Sequence, residues 1–223
     1  MAFFQDPSRQ PFLRVPASVL WLIALLIGLH AARILAFPGS ESDGLFDTYG
    51  FVPARYTGYN PGTVMSRLLP FVSYQFLHGS WSHVLFNSVW LLAFGPAVAR
   101  RFGPLLFLLF FLICGVAGAL THLAAYWGST APVVGASAAI SGLMAASFRM
   151  LPLGPGEDSA ELAPLLSPRI LGWTVTWMVI NVVAGITGFG AGPGPAVIAW
   201  GAHIGGYVTG LVLASPFDRL AKV

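Results

Sequence analysis

Charged residues are scarce in this chain of 223 residues, where they make up 9% of the sequence against 56% hydrophobic residues. The mean hydropathy is +0.76. A small soluble domain needs roughly a quarter to a third of its surface to be charged, so this composition excludes an ordinary soluble protein. It is typical of an integral membrane protein built from helices.

Cysteine and basic clusters are also nearly absent. Cys114 is the single cysteine, so no intrachain disulfide is possible and the sequence leaves the redox compartment open. The 11 basic and 8 acidic residues give a net charge of +3. No basic patch of the kind that binds nucleic acid occurs, so we expect no nucleic-acid partner.

Long apolar runs dominate the chain, and a helix needs about 20 mostly apolar residues to cross a bilayer. The N-terminal run continues to Phe37 without a convincing cleavage site, so we interpret it as a retained first span. We predict an all-α membrane protein with one domain, 1–223, formed by six spans near residues 16–37, 82–99, 103–127, 133–151, 170–187 and 196–215. A long external loop, 38–81, joins the first two spans, and its segment RLLPFVSYQFL is too short and proline-broken to cross.

The basic residues predict the orientation of these spans. With the N-terminus inside, most of the 11 basic residues fall on the cytoplasmic side: Arg9, Arg14, Arg100, Arg101, Arg149, Arg169, Arg219 and Lys222. Arg33, Arg55 and Arg67 fall outside. This distribution follows the positive-inside rule, so we expect six spans with both termini in the cytoplasm.

Three polar residues share one depth in this topology, because spans two, four and six all run from outside to inside. His83 opens span two, Ser137 lies about 6 Å into span four, and His203 lies about 10 Å into span six at 1.5 Å per residue. Asn87 is one turn below His83 on the same face. Small residues at four-residue spacing on spans four and six favour close contact between those helices.

A serine and a histidine at matched depth indicate nucleophilic catalysis. Ser137 would be the nucleophile and His203 the general base, since a neutral imidazole is the usual proton acceptor near pH 7. The acidic residues all lie outside the six spans, so we predict a Ser-His dyad without a carboxylate. His83, Asn87 and the backbone amide of Ser137 are suitable donors to an oxyanion.

Three motifs resemble those of the rhomboid family of intramembrane serine proteases. They are HGSWSHVLFN (78–87), GASAAISG (135–142) and AHIGGYVTG (202–210). The resemblance places the nucleophile at Ser137, the base at His203 and the oxyanion hole at His83 and Asn87. The family usually has glycine after the serine, whereas this chain has Ala138.

The resemblance also implies a substrate class and a route by which substrates enter the site. Substrates would be single-span membrane proteins, cut near the outer end of a locally unwound segment, and no cofactor would be needed. A lateral gate and cap would involve Trp173, Trp177 and the loop 187–195. We expect a bacterial plasma membrane, with the site open to the extracytoplasmic side; the substrate's identity and the oligomeric state are not indicated.

Other interpretations remain open at the level of sequence. An inert rhomboid-like scaffold would bind transmembrane segments without cutting them, and Ala138 is the feature that favours it. A haem-binding bundle is a second alternative, because histidines inside a membrane can ligate haem iron. A zinc peptidase is disfavoured because the sequence has no HExxH motif, and a transporter because it shows no inverted repeats. Ser141 is a rival nucleophile that we interpret as a packing residue, and we expect His78 and His122 to be structural or solvated.

Overall fold

The computed structural model describes residues 15–37, 39–58, 62–151, 161–187 and 199–222. Its helices are α1 (Ala17–Ala36), α2 (Ser40–Tyr49), α3 (Val64–Leu68), α4 (Pro70–Ser73), α5 (Trp81–Ala125), α6 (Ser137–Met150), α7 (Pro168–Thr187) and α8 (Trp200–Leu220). Two short 3₁₀ turns, Pro53–Tyr56 and Tyr74–Phe76, lie between them. Within these ranges there is no β-strand, only an isolated antiparallel bridge between Phe51 and Val133.

Three of the described helices are long and apolar enough to cross a membrane. These are α1, α5 and α7, whose most apolar windows have mean hydropathies of 2.1, 2.4 and 1.6. The prediction of an all-helical, membrane-spanning protein is confirmed to this extent. The predicted sixth span begins at residue 196, and its first three residues lie outside the described part of the chain.

Helix α5 contains 45 residues and folds back on itself. A straight helix of that length would measure about 67 Å, yet both of its ends reach the start of α6, where His83 lies beside Gly135 and Gly118 faces Ala138. The reversal occurs at Gly103, whose φ of 76° lies in the left-handed region that glycine tolerates. The apolar pattern predicts that span two ends at Ala99, but residues 100–102 remain helical and the turn is concentrated at Gly103.

Helix α6 is the centre of the bundle, because every residue from Ala138 to Met150 is buried. It packs against α8 through glycines. A methyl group on Gly206 would meet the Ala138 carbonyl, and one on Gly210 would meet the backbone of Gly142. These contacts advance by four residues on each helix, so α6 and α8 run in the same direction, as predicted.

The segment between α1 and α5 packs over one end of this bundle. The Tyr74 hydroxyl donates to the Gly115 carbonyl of α5 at 2.6 Å. Arg33 of α1 donates to Ser42 and to the His78 carbonyl. Helices α3 and α4 have 5 and 4 residues, and Pro70 begins α4. They are far too short to cross a bilayer, so this segment forms a docked cover.

The opposite end of the bundle is held by charged groups. The buried Arg149 side chain donates to the carbonyls of Ala163 and Leu211 and to the Ser215 hydroxyl. Asp218 of α8 pairs with Arg101 and Lys222. Charged side chains therefore link α5, α6 and α8 about 18 Å along α6 from Ser137, at 1.5 Å per residue.

The glycine contact between α6 and α8 predicts a stability difference between two glycine-to-alanine variants. Gly206→Ala should destabilise the protein by about 1–3 kcal/mol, the usual cost of overpacking, since its methyl has no space beside the Ala138 carbonyl. Gly172→Ala in α7 is the matched control, because no atom lies within 4 Å of its added methyl. Thermal unfolding in detergent, followed by circular dichroism, measures both, and equal midpoints would contradict the close contact.

Candidate active site

Ser137 is the first residue of α6. The apolar pattern predicts that span four begins at Val133, but Val133 is extended and exchanges backbone hydrogen bonds of 3.0 and 2.8 Å with Phe51. The chain then turns at Gly135, whose φ of 122° lies in the region that favours glycine and whose amide donates to the Tyr74 carbonyl. Ser137 therefore lies at a helix N-terminus, where backbone N–H groups lack helical acceptors.

The Ser137 hydroxyl lies against the imidazole of His203. The distance between Ser137 Oγ and His203 Nε2 is 2.7 Å, which is the length of a good hydrogen bond. His203 lies in the first turn of α8, and the glycine contact between α6 and α8 brings the two helix starts together. The structure thus brings together the two residues that the sequence analysis chose as nucleophile and base.

A third residue, Asn181 of α7, contacts the other side of the imidazole. Its Oδ1 lies 2.8 Å from His203 Nδ1, and its side chain is 3% exposed. The predicted Ser-His dyad has no carboxylate and does not include this amide. The available signal was Asn181 itself, since a polar side chain inside an apolar span usually faces the bundle interior.

His83 and Asn87 lie one turn apart on the first half of α5, and the His83 ring lies near Ser137. His83 Nε2 would be 2.7 Å from a methyl group on Gly135, and the same methyl would be 3.8 Å from Ser137 Oγ. Asn87 is buried one turn below, where its amide donates to the His83 carbonyl at 3.0 Å. The His83 ring is therefore near the serine, and neither predicted oxyanion donor makes a direct hydrogen bond to Ser137 among the described contacts.

The family model for the Rhomboid domain matches residues 65–218, which is more than half of the chain. The chain belongs to the rhomboid family. It is therefore an integral membrane protein, and its rhomboid domain contains Ser137, His203, His83 and Asn87.

Two curated relatives support this assignment. "Putative rhomboid protease YdcA" of Bacillus subtilis (strain 168) is 34% identical over 145 residues, which cover 63% of this chain and 66% of the relative. "RHOMBOID-like protein 4" of Arabidopsis thaliana is 32% identical over 147 residues, which cover 64% of this chain and 32% of the relative. The matched region thus spans less than two thirds of either relative.

Ala138 is the position at which this rhomboid departs from the usual motif. Its methyl is buried and faces α5, where a methyl on Gly118 would be only 2.6 Å away. The extra carbon of Ala138 therefore fills space left by Gly118. Ser141, the rival nucleophile, donates its hydroxyl to the Ser137 carbonyl at 2.8 Å, as expected of a packing serine.

His78 and His122 lie at the same end of the bundle as Ser137, near the starts of α6 and α8. His78 and His122 are both buried, so the solvated interpretation is wrong for them. The His78 carbonyl accepts hydrogen bonds from His30 Nδ1 and Arg33 Nη2, each at 3.1 Å. The His78 ring packs edge-on against His83 at 5.1 Å between centroids, which supports the position of His83 from behind.

The residues implied as a gate are only partly described. Trp173 stacks on Phe148 of α6 with 4.9 Å between centroids, and Trp177 stacks more loosely on Tyr207 of α8. Both tryptophans thus contribute to the packing of α7. The cap loop predicted at 187–195 lies outside the described residues apart from Thr187.

Proposed function

We propose that this rhomboid is an intramembrane serine endopeptidase that cuts single-span membrane proteins in or near their transmembrane segment. The observation that carries the proposal is the 2.7 Å contact between Ser137 Oγ and His203 Nε2. Rhomboid family members are typically intramembrane serine proteases that act on membrane-protein substrates, and the Bacillus relative is named as a protease.

The geometry supports a two-step acyl transfer. His203 Nε2 accepts the hydroxyl proton while Ser137 Oγ bonds to the scissile carbonyl carbon, whose π electrons move to the oxygen. The tetrahedral intermediate then expels the amine, which takes the proton from His203. Water repeats the sequence on the acyl-enzyme and releases the carboxylate product. No cofactor takes part in these steps.

The oxyanion would be stabilised at the start of α6. The backbone amide of Ser137 lies in the first helical turn, which presents free N–H groups and the positive end of the helix dipole. The His83 ring lies beside Gly135, two residues before the serine. The second N–H of Asn87 is a further donor, because the first is used on the His83 carbonyl.

The alternative is a rhomboid-like scaffold that binds transmembrane segments without cleaving them. A scaffold has no need of the nucleophile or the base, yet this chain has both and they are hydrogen-bonded. Ala138 favoured the scaffold because its methyl could crowd the site, but that methyl packs against Gly118. The contacts therefore favour the protease.

We infer six membrane spans within one domain: α1, the two arms of α5, α6, α7 and α8. The parallel direction of α6 and α8 and the distribution of basic residues support both termini in the cytoplasm. The site would then open to the extracytoplasmic side, and the Bacillus relative is consistent with a bacterial plasma membrane.

The protease proposal predicts selective labelling of Ser137. A fluorophosphonate probe should modify Ser137 in detergent-solubilised wild-type protein, and Ser137→Ala and His203→Ala should both abolish the label. Ser141→Ala is the control and should keep it, because Ser141 only donates to a carbonyl within α6. Peptide mass mapping locates the label; folded wild-type protein that takes up none would favour the scaffold.

The oxyanion assignment predicts a loss of turnover without loss of binding. His83→Ala and Asn87→Ala should each lower kcat for cleavage of a single-span reporter by about a hundredfold to a thousandfold, with KM nearly unchanged. Ser88→Ala is the control, since this buried hydroxyl donates to the Val84 carbonyl within α5. Thermal unfolding checks that each variant is folded, and a kcat within a few-fold of wild type would remove that residue from the oxyanion hole.

The topology predicts opposite accessibility for two loops. In a Cys114→Ala background, Thr130→Cys lies between α5 and α6 and Leu166→Cys lies between α6 and α7, and both sites are exposed. A membrane-impermeant maleimide should label Thr130→Cys on intact cells and Leu166→Cys only after permeabilisation. The reverse pattern would show that the protein has the opposite orientation in the membrane. Labelling of both cysteines from one side would mean that α6 does not cross the membrane.

A further inference from the structure

Asn181 lies on the stripe of α7 that faces the rest of the bundle. The stripe also contains Ile170, Thr174, Trp177 and Met178, which follow helical spacing and contact α6 or α8. The opposite face of α7 carries exposed aliphatic residues, as expected for a helix that faces lipid: Val175, Val179, Ile180, Val182 and Val183. Asn181 is thus a buried amide on a helix that is otherwise mostly apolar.

The orientation of the Asn181 amide is determined by its second partner. One end of the amide lies 3.1 Å from the backbone carbonyl of Trp177. A carbonyl oxygen only accepts hydrogen bonds, so the group facing it must be the Nδ2 amine. The oxygen Oδ1 must then face His203, where it lies 2.8 Å from Nδ1.

This orientation decides the tautomer of His203. An amide oxygen only accepts, so His203 Nδ1 must carry a hydrogen and donate it to Asn181. A neutral imidazole has one N–H, so Nε2 carries the lone pair. That lone pair faces Ser137 Oγ at 2.7 Å and is the acceptor that the hydroxyl proton needs.

We propose that Asn181 is the positioning residue of His203, holding the imidazole in the Nδ1–H tautomer and at the angle that directs Nε2 to Ser137. This inference rests on the proposed protease function. Asn181 contacts no substrate in this role and acts through His203 alone. A neutral amide can position His203 without placing a charge inside the bundle, where burying an unpaired carboxylate would cost free energy.

The alternative is that Asn181 serves only to attach α7 to α8. A second side-chain bond between the same helices allows the two roles to be separated, because the Thr174 hydroxyl lies 3.1 Å from the Tyr207 hydroxyl, seven residues earlier on α7. Thr174→Val removes that bond with almost no change of shape. It is therefore the matched control for a loosened contact between α7 and α8.

Two near-isosteric replacements of Asn181 give opposite expectations for the two roles. Asn181→Asp keeps an oxygen that accepts from Nδ1–H, whereas Asn181→Leu keeps the volume and removes the acceptor. If Asn181 positions His203, the rate of fluorophosphonate labelling should fall about tenfold to a hundredfold in Asn181→Leu, as for other groups that orient a functional histidine. It should be largely retained in Asn181→Asp and in Thr174→Val.

A purely structural Asn181 would reverse this order. Leucine would then be tolerated in the apolar bundle, and a buried carboxyl group would be damaging. Labelling that is higher in Asn181→Leu than in Asn181→Asp, or equal to wild type in Asn181→Leu, would overturn the proposal. Equal losses in Asn181→Leu and Thr174→Val would overturn it as well, because they would assign the effect to helix attachment.

Nitrogen-15 NMR of protein labelled at its histidines identifies the tautomer of His203 directly, independently of probe labelling or substrate cleavage. The chain has 5 histidines, and His203 is the signal that disappears in His203→Ala. We expect the Nδ1–H tautomer in wild type and Asn181→Asp, and a shift toward Nε2–H in Asn181→Leu. An Nε2–H tautomer in wild type would overturn the proposal. Absence of labelling at Ser137 in wild type would instead contradict the protease function, so the two failures are distinguishable.

Discussion

The glycine-lined contact between α6 and α8 is the constraint on which the rest of the structure depends. Lipid chains are as apolar as leucine, so helices in a bilayer gain little from hydrophobic burial and associate through close packing and polar contacts. Gly206 and Gly210 allow the α8 backbone to lie directly on the carbonyls of Ala138 and Gly142. Only at this separation can His203 reach Ser137 without bending either helix.

The side chains bonded in series to Ser137 are all neutral. Near Ser137 the described groups form a chain of neutral partners, in which Asn181 binds His203 and His203 binds Ser137. The charged side chains of Arg149 and Asp218 lie at the other end of α6 and α8, where Arg149 bonds the Ser215 hydroxyl and Asp218 pairs with Arg101. A buried neutral chain loses less hydration free energy than an ion pair, so these hydrogen-bonded partners can be accommodated inside an apolar bundle at low cost.

The sequence was sufficient for the helices and for the Ser137–His203 pair, because apolar length and shared depth are properties of single segments. It was insufficient for features that depend on tertiary contacts, namely the start of α6 and the partner of His203. Val133 belongs to an apolar run but pairs with Phe51, so α6 starts four residues later than predicted. Asn181 could not be matched to His203, since span direction gives the depth of a residue but its rotation about the helix depends on packing.

The late start of α6 makes this central helix shorter than the hydrocarbon core is thick. With 14 residues, α6 measures about 21 Å, whereas the hydrocarbon core is about 30 Å thick. If its C-terminal end, held by Arg149, lies at the inner boundary, Ser137 lies about 9 Å below the outer one. The space above it is occupied by the docked segment that includes Phe51, Tyr74 and His78. On this placement the short central helix would leave Ser137 below the outer boundary of the hydrocarbon core, covered by the docked segment and not by lipid.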